Sequence, residues 1–78
     1  MSQFLIFADG QISINGNVTP YYYRRVEGSA DEFWRAEDRY FGTTFKRIKL
    51  PKKKYSAADV ERLVKDITKA IKRDGWNF

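Results

Sequence analysis

A single amphipathic helical pattern near the C-terminal end constrains most strongly what this 78-residue chain can fold into. Ser56 and Asp59 have the spacing of a capping box at its start, and Gly75 is a suitable residue just beyond its end. The pattern predicts a helix from about Ala57 to Asp74, whose apolar stripe must be buried against another element. The residues at helical spacing in this stripe are Val60, Leu63, Val64, Ile67 and Ile71.

Short runs of strand-forming residues precede this helix and are separated by turn signals. The first two runs, residues 3–8 and 11–15, flank Asp9-Gly10, a pair that is typical of two-residue hairpin turns. Such a turn places four apolar side chains on one face of the hairpin, because alternate strand residues point the same way. These four residues are the predicted sheet contribution to the core: Leu5, Phe7, Ile12 and Ile14.

Two further strands are predicted downstream of the first hairpin. Residues 18–26 form one, with Pro20 near its start, where proline is tolerated. Residues 43–50 form the other, because Thr, Phe and Ile favour strands, and Pro51 ends it. We therefore expect residues 1–78 to form a single α+β domain. Its predicted architecture is a small antiparallel sheet of four to five short strands with the C-terminal amphipathic helix packed on one face.

Residues 30–42 are compatible with two interpretations. Ser29 and Gly42 are suitable ends for a helix, whereas a strand over residues 32–40 would pair with the preceding strand. The strand is the favoured prediction. Trp34 within this segment is either the centre of the core or an anchor for a partner, and the core position is favoured.

The composition excludes several classes of function. The chain has no Cys and no His, so it cannot form disulfides, thiolate metal sites or a His-based catalytic triad. No glycine-rich phosphate loop or pair of carboxylates at catalytic spacing is present, and no run approaches the ~20 apolar residues of a membrane span. We expect a non-enzymatic, cytoplasmic binding protein without a metal or cofactor.

The positive charge is concentrated in one part of the chain. The net charge is +5, and residues 46–55 carry six Lys or Arg and no acidic residue. Such a cluster attracts a polyanion, although a solvated connector is the alternative. The helix carries a second basic stripe on the side opposite its apolar residues, which is either an ordinary solvated face or an extension of the cluster. The stripe comprises Arg62, Lys65, Lys69, Lys72 and Arg73.

An aromatic and basic run in the third strand adds a second type of contact. Tyr21 to Tyr23 are followed by Arg24 and Arg25, and an exposed tyrosine beside arginine can stack on an unpaired base. The alternative is that Tyr22 is only a half-buried surface residue. The predicted nucleic-acid-binding residues are Tyr22, Arg24, Arg25, Lys46, Arg47, Lys49, Lys52, Lys53, Lys54, Arg62, Lys65 and Lys69.

The predicted order of antiparallel strands followed by one helix, over roughly residues 20–73, is similar to that of AP2-like and integrase arm-binding domains. The resemblance concerns topology and implies a sheet that lies on duplex DNA. Our leading hypothesis is binding of DNA or RNA through phosphate contacts with weak sequence preference. The alternative is a protein-interaction module for an acidic partner surface, such as a phage-type inhibitor that docks on a host nucleoprotein complex or enzyme. A homodimer through an edge strand, or through Phe4 and Ile6, is a third hypothesis.

Overall fold

The computed structural model describes residues 4–76 and shows the predicted α+β fold. A five-stranded antiparallel sheet has its strands in chain order, and a one-turn 3₁₀ helix at Ala57–Asp59 leads into the helix α1, Val60–Arg73. The strand at residues 32–39 confirms the favoured interpretation of the ambiguous segment. The strands are β1 (Phe4–Ile6), β2 (Gln11–Ile14), β3 (Asn17–Arg24), β4 (Glu32–Arg39) and β5 (Gly42–Arg47).

The core lies between one face of the sheet and α1. Leu63, Ile67 and Ile71 are buried as predicted, and Val64 is partly buried. Val60, by contrast, is half exposed, so its predicted core position is wrong. It lies in the first turn of α1, beside a cleft that is open to solvent. The buried apolar and aromatic residues are Ile12, Ile14, Tyr21, Tyr23, Phe33, Tyr55, Leu63, Ile67, Ala70 and Ile71.

The first hairpin has a three-residue loop instead of the predicted two-residue turn. The amide of Gly10 donates to the carbonyl of Phe7 at 2.8 Å, and the amide of Phe7 donates to the carbonyl of Gln11 at 2.8 Å. Gly10 has a positive φ of 90°, which is the glycine conformation that such loops require. The chain also passes close to β3 at this point, because a Cβ atom at Gly10 would lie 2.8 Å from the carbonyl oxygen of Tyr23.

This loop changes which side chains of β1 face the core. Because the register shifts by one residue, Phe4 and Ile6 pack against the core. Leu5 and Phe7, the predicted core residues, are exposed. The predictions for Ile12 and Ile14 are confirmed, since both are buried. The dimer hypothesis took Phe4 and Ile6 to be uncovered, and this is wrong because both pack against the core. Gln3, the predicted first residue of this run, lies outside the described residues.

The C-terminal end of α1 closes as the sequence predicts. Gly75 has a φ of 100° and donates its amide to the carbonyl of Lys72 at 3.1 Å. The amide of Trp76 then bonds to the carbonyl of Ile71 at 3.2 Å, and the Trp76 ring packs edge-on against Tyr21. Within residues 4–76, no helix is both long enough and apolar enough to cross a membrane.

Three buried tyrosines donate hydrogen bonds to aspartates. These pairs join the end of α1 to β3, the loop before β4 to β3, and the segment before the helix to α1. Tyr21 bonds to Asp74 at 2.7 Å, Tyr23 bonds to Asp31 at 2.5 Å, and Tyr55 bonds to Asp66 at 2.7 Å. The pKa of Tyr21 and that of Tyr55 are raised to about 12, mainly by burial and to a smaller extent by the hydrogen bond to the carboxylate.

The aspartates of these pairs remain ionised because their hydrogen bonds outweigh burial. Burial acts to raise the pKa of Asp31, but hydrogen bonds from Tyr23, the Tyr55 amide and Lys54 bring it below its ordinary value. Burial also acts to raise the pKa of Asp74, but hydrogen bonds from Tyr21 and Lys46 bring that pKa below its ordinary value. Each buried carboxylate therefore has partners for its charge, which is the condition for burying one without large cost.

Candidate functional site

The sheet face opposite α1 carries three aromatic side chains from three neighbouring strands. Tyr22 on β3 lies directly opposite Trp34 on β4, and Ala36 on β4 lies opposite Phe45 on β5. Since adjacent strand residues alternate between faces, all three aromatics point away from the buried Tyr21 and Phe33. We call this surface the open face, and it comprises Tyr22, Arg24, Glu32, Trp34, Phe45 and Arg47.

The three rings form one contiguous cluster. The centroids of Tyr22 and Trp34 lie 6.5 Å apart with their planes 13° from parallel. Phe45 stands edge-on to both, at 6.1 Å from each and with interplanar angles of 81° and 86°. The Phe45 side chain is 60% exposed, while Tyr22 and Trp34 are partly exposed. Exposed aromatic clusters of this kind are typical of binding surfaces, because a flat partner can cover the rings.

Two arginines border the aromatic cluster. The guanidinium carbon of Arg24 lies 5.8 Å from the centroid of the Trp34 ring, and Arg47 lies opposite Trp34 in the strand register. Both arginines pair with Glu32, Arg24 at 3.1 Å and Arg47 at 3.7 Å. Because the arginine side chains are exposed, each pair contributes less than about 1 kcal/mol and can be exchanged for contacts to another anion.

Trp34 therefore has a different position from the favoured prediction. Phe33, not Trp34, fills the core below β4, and Trp34 is part of the open face. The reason is the pairing of β4 with β3: Tyr23 lies opposite Phe33 on the buried side, so Trp34 must point outward beside Tyr22. Phe45 was absent from the predicted site. Ile48 packs against the core, and residues three positions apart on a strand point to opposite faces, so the sequence could have indicated that Phe45 points outward.

The lysine-rich segment forms a cleft beside the open face. The cleft has a volume of about 320 Å³, and its apolar walls include Phe33, Ile48 and Leu50. Arg47 belongs both to this cleft and to the open face, so the two surfaces adjoin. We call this site the basic cleft, after the four predicted binding residues that the structure brings together there: Arg47, Lys49, Lys52 and Lys53.

Two other members of the predicted lysine cluster have structural partners. Lys46 points to the helix side of the sheet, where its ammonium lies 3.2 Å from Asp74. Lys54 bonds to Asp31 at 3.2 Å, to the carbonyl of Ser29 at 2.7 Å and to the carbonyl of Val26. These contacts hold the connector to the loop before β4. Within the basic cleft, Lys52 also pairs with Asp59 at 3.1 Å, which partly neutralises it.

The remaining predicted residues lie away from the open face. Arg25 is exposed and donates to the carbonyl of Ser56 at 3.4 Å. On α1, Arg62 lies 3.3 Å from the buried Asp66, and Lys65 and Lys69 are exposed on the side of the helix that does not contact the sheet. The structure thus brings Tyr22, Arg24 and the basic cleft together, and it separates them from the helix residues of the predicted site.

Comparisons with protein-family models, curated proteins and solved structures gave no significant match. The functional argument therefore depends on the chemistry of this chain. Among residues 4–76, no group of three or more carboxylates is arranged to hold a metal ion. The open face offers ring surfaces and guanidinium groups, and the basic cleft offers ammonium groups. Together they suit a ligand that combines planar groups with repeated negative charge.

Proposed function

We propose that this protein binds nucleic acid through the open face and the adjoining basic cleft. One observation carries the proposal: the aromatic cluster of Tyr22, Trp34 and Phe45 shares an uncovered sheet face with Arg24 and Arg47. Aromatic rings stack on bases, and arginines bind phosphates with two hydrogen bonds. Both contacts that a nucleic acid requires are therefore available on one surface.

The charge distribution supports phosphate contacts as the main source of affinity. The chain has a net charge of +5, and the basic cleft adds Lys49, Lys52 and Lys53 beside Arg47. Contacts to phosphates and to ring faces carry little sequence information. The protein is accordingly a nucleic-acid-binding module with weak sequence preference and a steep dependence on salt concentration.

The test is a fluorescence anisotropy titration with labelled DNA and RNA oligonucleotides at two salt concentrations. The double variant Arg24→Ala/Arg47→Ala should bind more weakly than the wild type. Its plot of log K against log salt should be flatter by about 1.4 to 1.8, since each of the two lost phosphate contacts removes about 0.7 to 0.9. The matched control is Lys65→Ala/Lys69→Ala, which removes the same charge from the far side of α1.

The outcomes of this titration are distinct. The proposal predicts a loss of affinity for the open-face variant and little change in affinity for the helix variant. Such a result would also show that Lys65 and Lys69 do not belong to the binding site. Equal losses in both variants would mean that total charge, and not the open face, determines binding. No binding of any oligonucleotide at low salt would refute the proposed function.

A second surface favours the alternative of a protein-interaction module. A cleft of about 370 Å³ lies between the first hairpin loop and the start of α1, with Phe7, Val60 and Leu63 among its walls. Phe7 and Val60 are exposed apolar residues, and Arg24 and Arg25 lie at the same cleft. A partner segment with apolar and acidic side chains would suit it. This function becomes the leading one if the titration shows no nucleic-acid binding.

A further inference from the structure

A duplex cannot stack its bases on the aromatic rings of the open face. Phe45 is 60% exposed and lies nearly perpendicular to the rings of Tyr22 and Trp34, so a flat group can reach it from solvent. In a duplex, the base faces are covered by neighbouring base pairs and only the base edges are presented in the grooves. A ring can therefore stack on a base only where that base is unpaired or at an end.

The geometry of the aromatic cluster also differs from that of stacked bases. Its centroids are separated by 6.1 to 6.5 Å, whereas successive bases of a duplex strand rise by about 3.4 Å. Bases that occupy neighbouring rings would thus lie almost twice as far apart as they do in a duplex. The Phe45 ring is also nearly perpendicular to those of Tyr22 and Trp34, so a base on it would be turned relative to the others.

Arg47 provides a continuous route for the phosphate backbone. Its guanidinium lies on the open face near Glu32, and its side chain also forms part of the basic cleft with Lys49 and Lys53. At the other border of the aromatic cluster, the Arg24 guanidinium lies over the Trp34 ring at 5.8 Å, where it can turn towards a phosphate. The positive groups therefore flank the rings on both sides, as a backbone with splayed bases requires.

We infer that the ligand of this surface is single-stranded nucleic acid, with bases stacked on the Tyr22–Trp34–Phe45 cluster and the backbone led across Arg47 into the basic cleft. The inference rests on the proposed function and specifies its substrate class. It differs from the duplex binding that the topological resemblance implies, because a duplex would contact the arginines and lysines but would leave the aromatic rings unused.

The first experiment compares one labelled oligonucleotide as a single strand and as a duplex, in DNA and RNA forms, using the full chain. Phe45→Leu removes the ring but keeps an apolar strand residue. We expect it to weaken single-strand binding by about 5- to 150-fold, the range for loss of one stacked base, with duplex binding unchanged. The matched control is Phe41→Leu, at the tip of the β4–β5 hairpin, where the side chain is 94% exposed and contacts Tyr40.

The second experiment follows the emission of Trp34 directly. The chain has two tryptophans, so the variant Trp76→Phe leaves Trp34 as its one fluorophore of this type. The indole nitrogen of Trp76 is buried without a hydrogen-bond partner, so phenylalanine removes no hydrogen bond from the core. Stacking of a base on Trp34 should quench its fluorescence when a single strand is added, and a duplex at the same phosphate concentration should quench it much less.

Three results are possible, and each one decides. Preferential single-strand binding that Phe45→Leu weakens and Phe41→Leu does not, with quenching of Trp34, supports the inference. Equal binding of single strand and duplex, with no effect of Phe45→Leu and no quenching, overturns it while leaving the proposed function intact. Absence of binding to every oligonucleotide at low salt removes both. If Phe45→Leu fails to fold by circular dichroism, the quenching experiment still separates these results.

Discussion

The guanidinium carbon of Arg24 lies 5.8 Å from the centroid of the Trp34 ring, and the same guanidinium donates to Glu32 at 3.1 Å. Glu32 also lies 3.7 Å from Arg47, so the two arginines of the open face share one carboxylate. A phosphate that binds either arginine competes with this carboxylate for the guanidinium charge. Glu32 is therefore an internal competitor of the proposed ligand, and its charge sets how strongly the open face attracts a polyanion.

Replacing Glu32→Gln should strengthen nucleic-acid binding. Loss of the two exposed ion pairs frees Arg24 and Arg47, and the expected gain in affinity at low salt is about 2- to 30-fold. The measurement is the anisotropy titration, with Glu61→Gln on the exposed side of α1 as a control that changes net charge equally. An equal gain in the two variants would assign the effect to net charge and not to the open face.

Tyr55→Phe should destabilise the protein by about 1–3 kcal/mol, because it deprives the buried carboxylate of Asp66 of its hydroxyl donor. Chemical denaturation followed by circular dichroism measures this as a lower midpoint with an unchanged slope. Tyr40→Phe is the matched control, since the Tyr40 side chain is 99% exposed and should tolerate the change. Similar midpoints for both variants would show that the Tyr55–Asp66 hydrogen bond contributes nothing net.

The stability should fall in acid because of the lowered carboxylate pKa values. The side chain of Asp31 is 2% exposed, and its pKa lies below the ordinary value despite burial, owing to hydrogen bonds from Tyr23, Tyr55 and Lys54. A lowered pKa stabilises the fold fully above the unfolded value of about 3.9, and this contribution is lost as pH falls through the folded-state pKa.

Denaturation midpoints measured from neutral pH into the acid range test this dependence. The wild type should lose stability below about pH 4, while Asp31→Asn should be less stable at neutral pH and show a shallower acid dependence. A variant with the same acid slope as the wild type would show that Asp31 is not a source of the dependence.

A comparison of two glycine variants isolates the close contact in the first hairpin. Gly10→Ala and Gly16→Ala both place a side chain at positive φ, 90° and 80°, which costs about 1 kcal/mol or more. Only at Gly10 would the new Cβ meet a backbone atom, the carbonyl oxygen of Tyr23 at 2.8 Å. Thermal or chemical unfolding should therefore show a clearly larger loss for Gly10→Ala, and equal losses would contradict the tight approach of loop and β3.

The helix was predictable because its signals are local. The capping pair Ser56 and Asp59, the spacing of Leu63, Ile67 and Ile71, and the terminal glycine all act within a few residues. The register of the first hairpin was not predictable in the same way. Asp9-Gly10 suits both a two-residue and a three-residue loop, and the choice depends on how the whole hairpin packs.

The candidate site was predictable only in part. Tyr22 and Arg24 follow from alternation along β3, and the structure places both on the open face. Trp34 and Phe45 join them through strand pairing, which sets Trp34 opposite Tyr22, 12 positions away, and Phe45 opposite Ala36, 9 positions away. Lys46 and Lys54 show the reverse case, because they are close to Arg47 in sequence but bond to Asp74 and Asp31.

Local patterning and composition alone determined the α+β class, the C-terminal helix, the concentration of positive charge and the absence of cysteine and histidine chemistry. The tertiary structure decided which side of the sheet is covered and which is open. Alternation along a strand divides its side chains into two sets but does not say which set is buried. Only the docking of α1 against Tyr21, Tyr23 and Phe33 makes that choice. It leaves the aromatic and arginine side chains of the open face exposed to solvent.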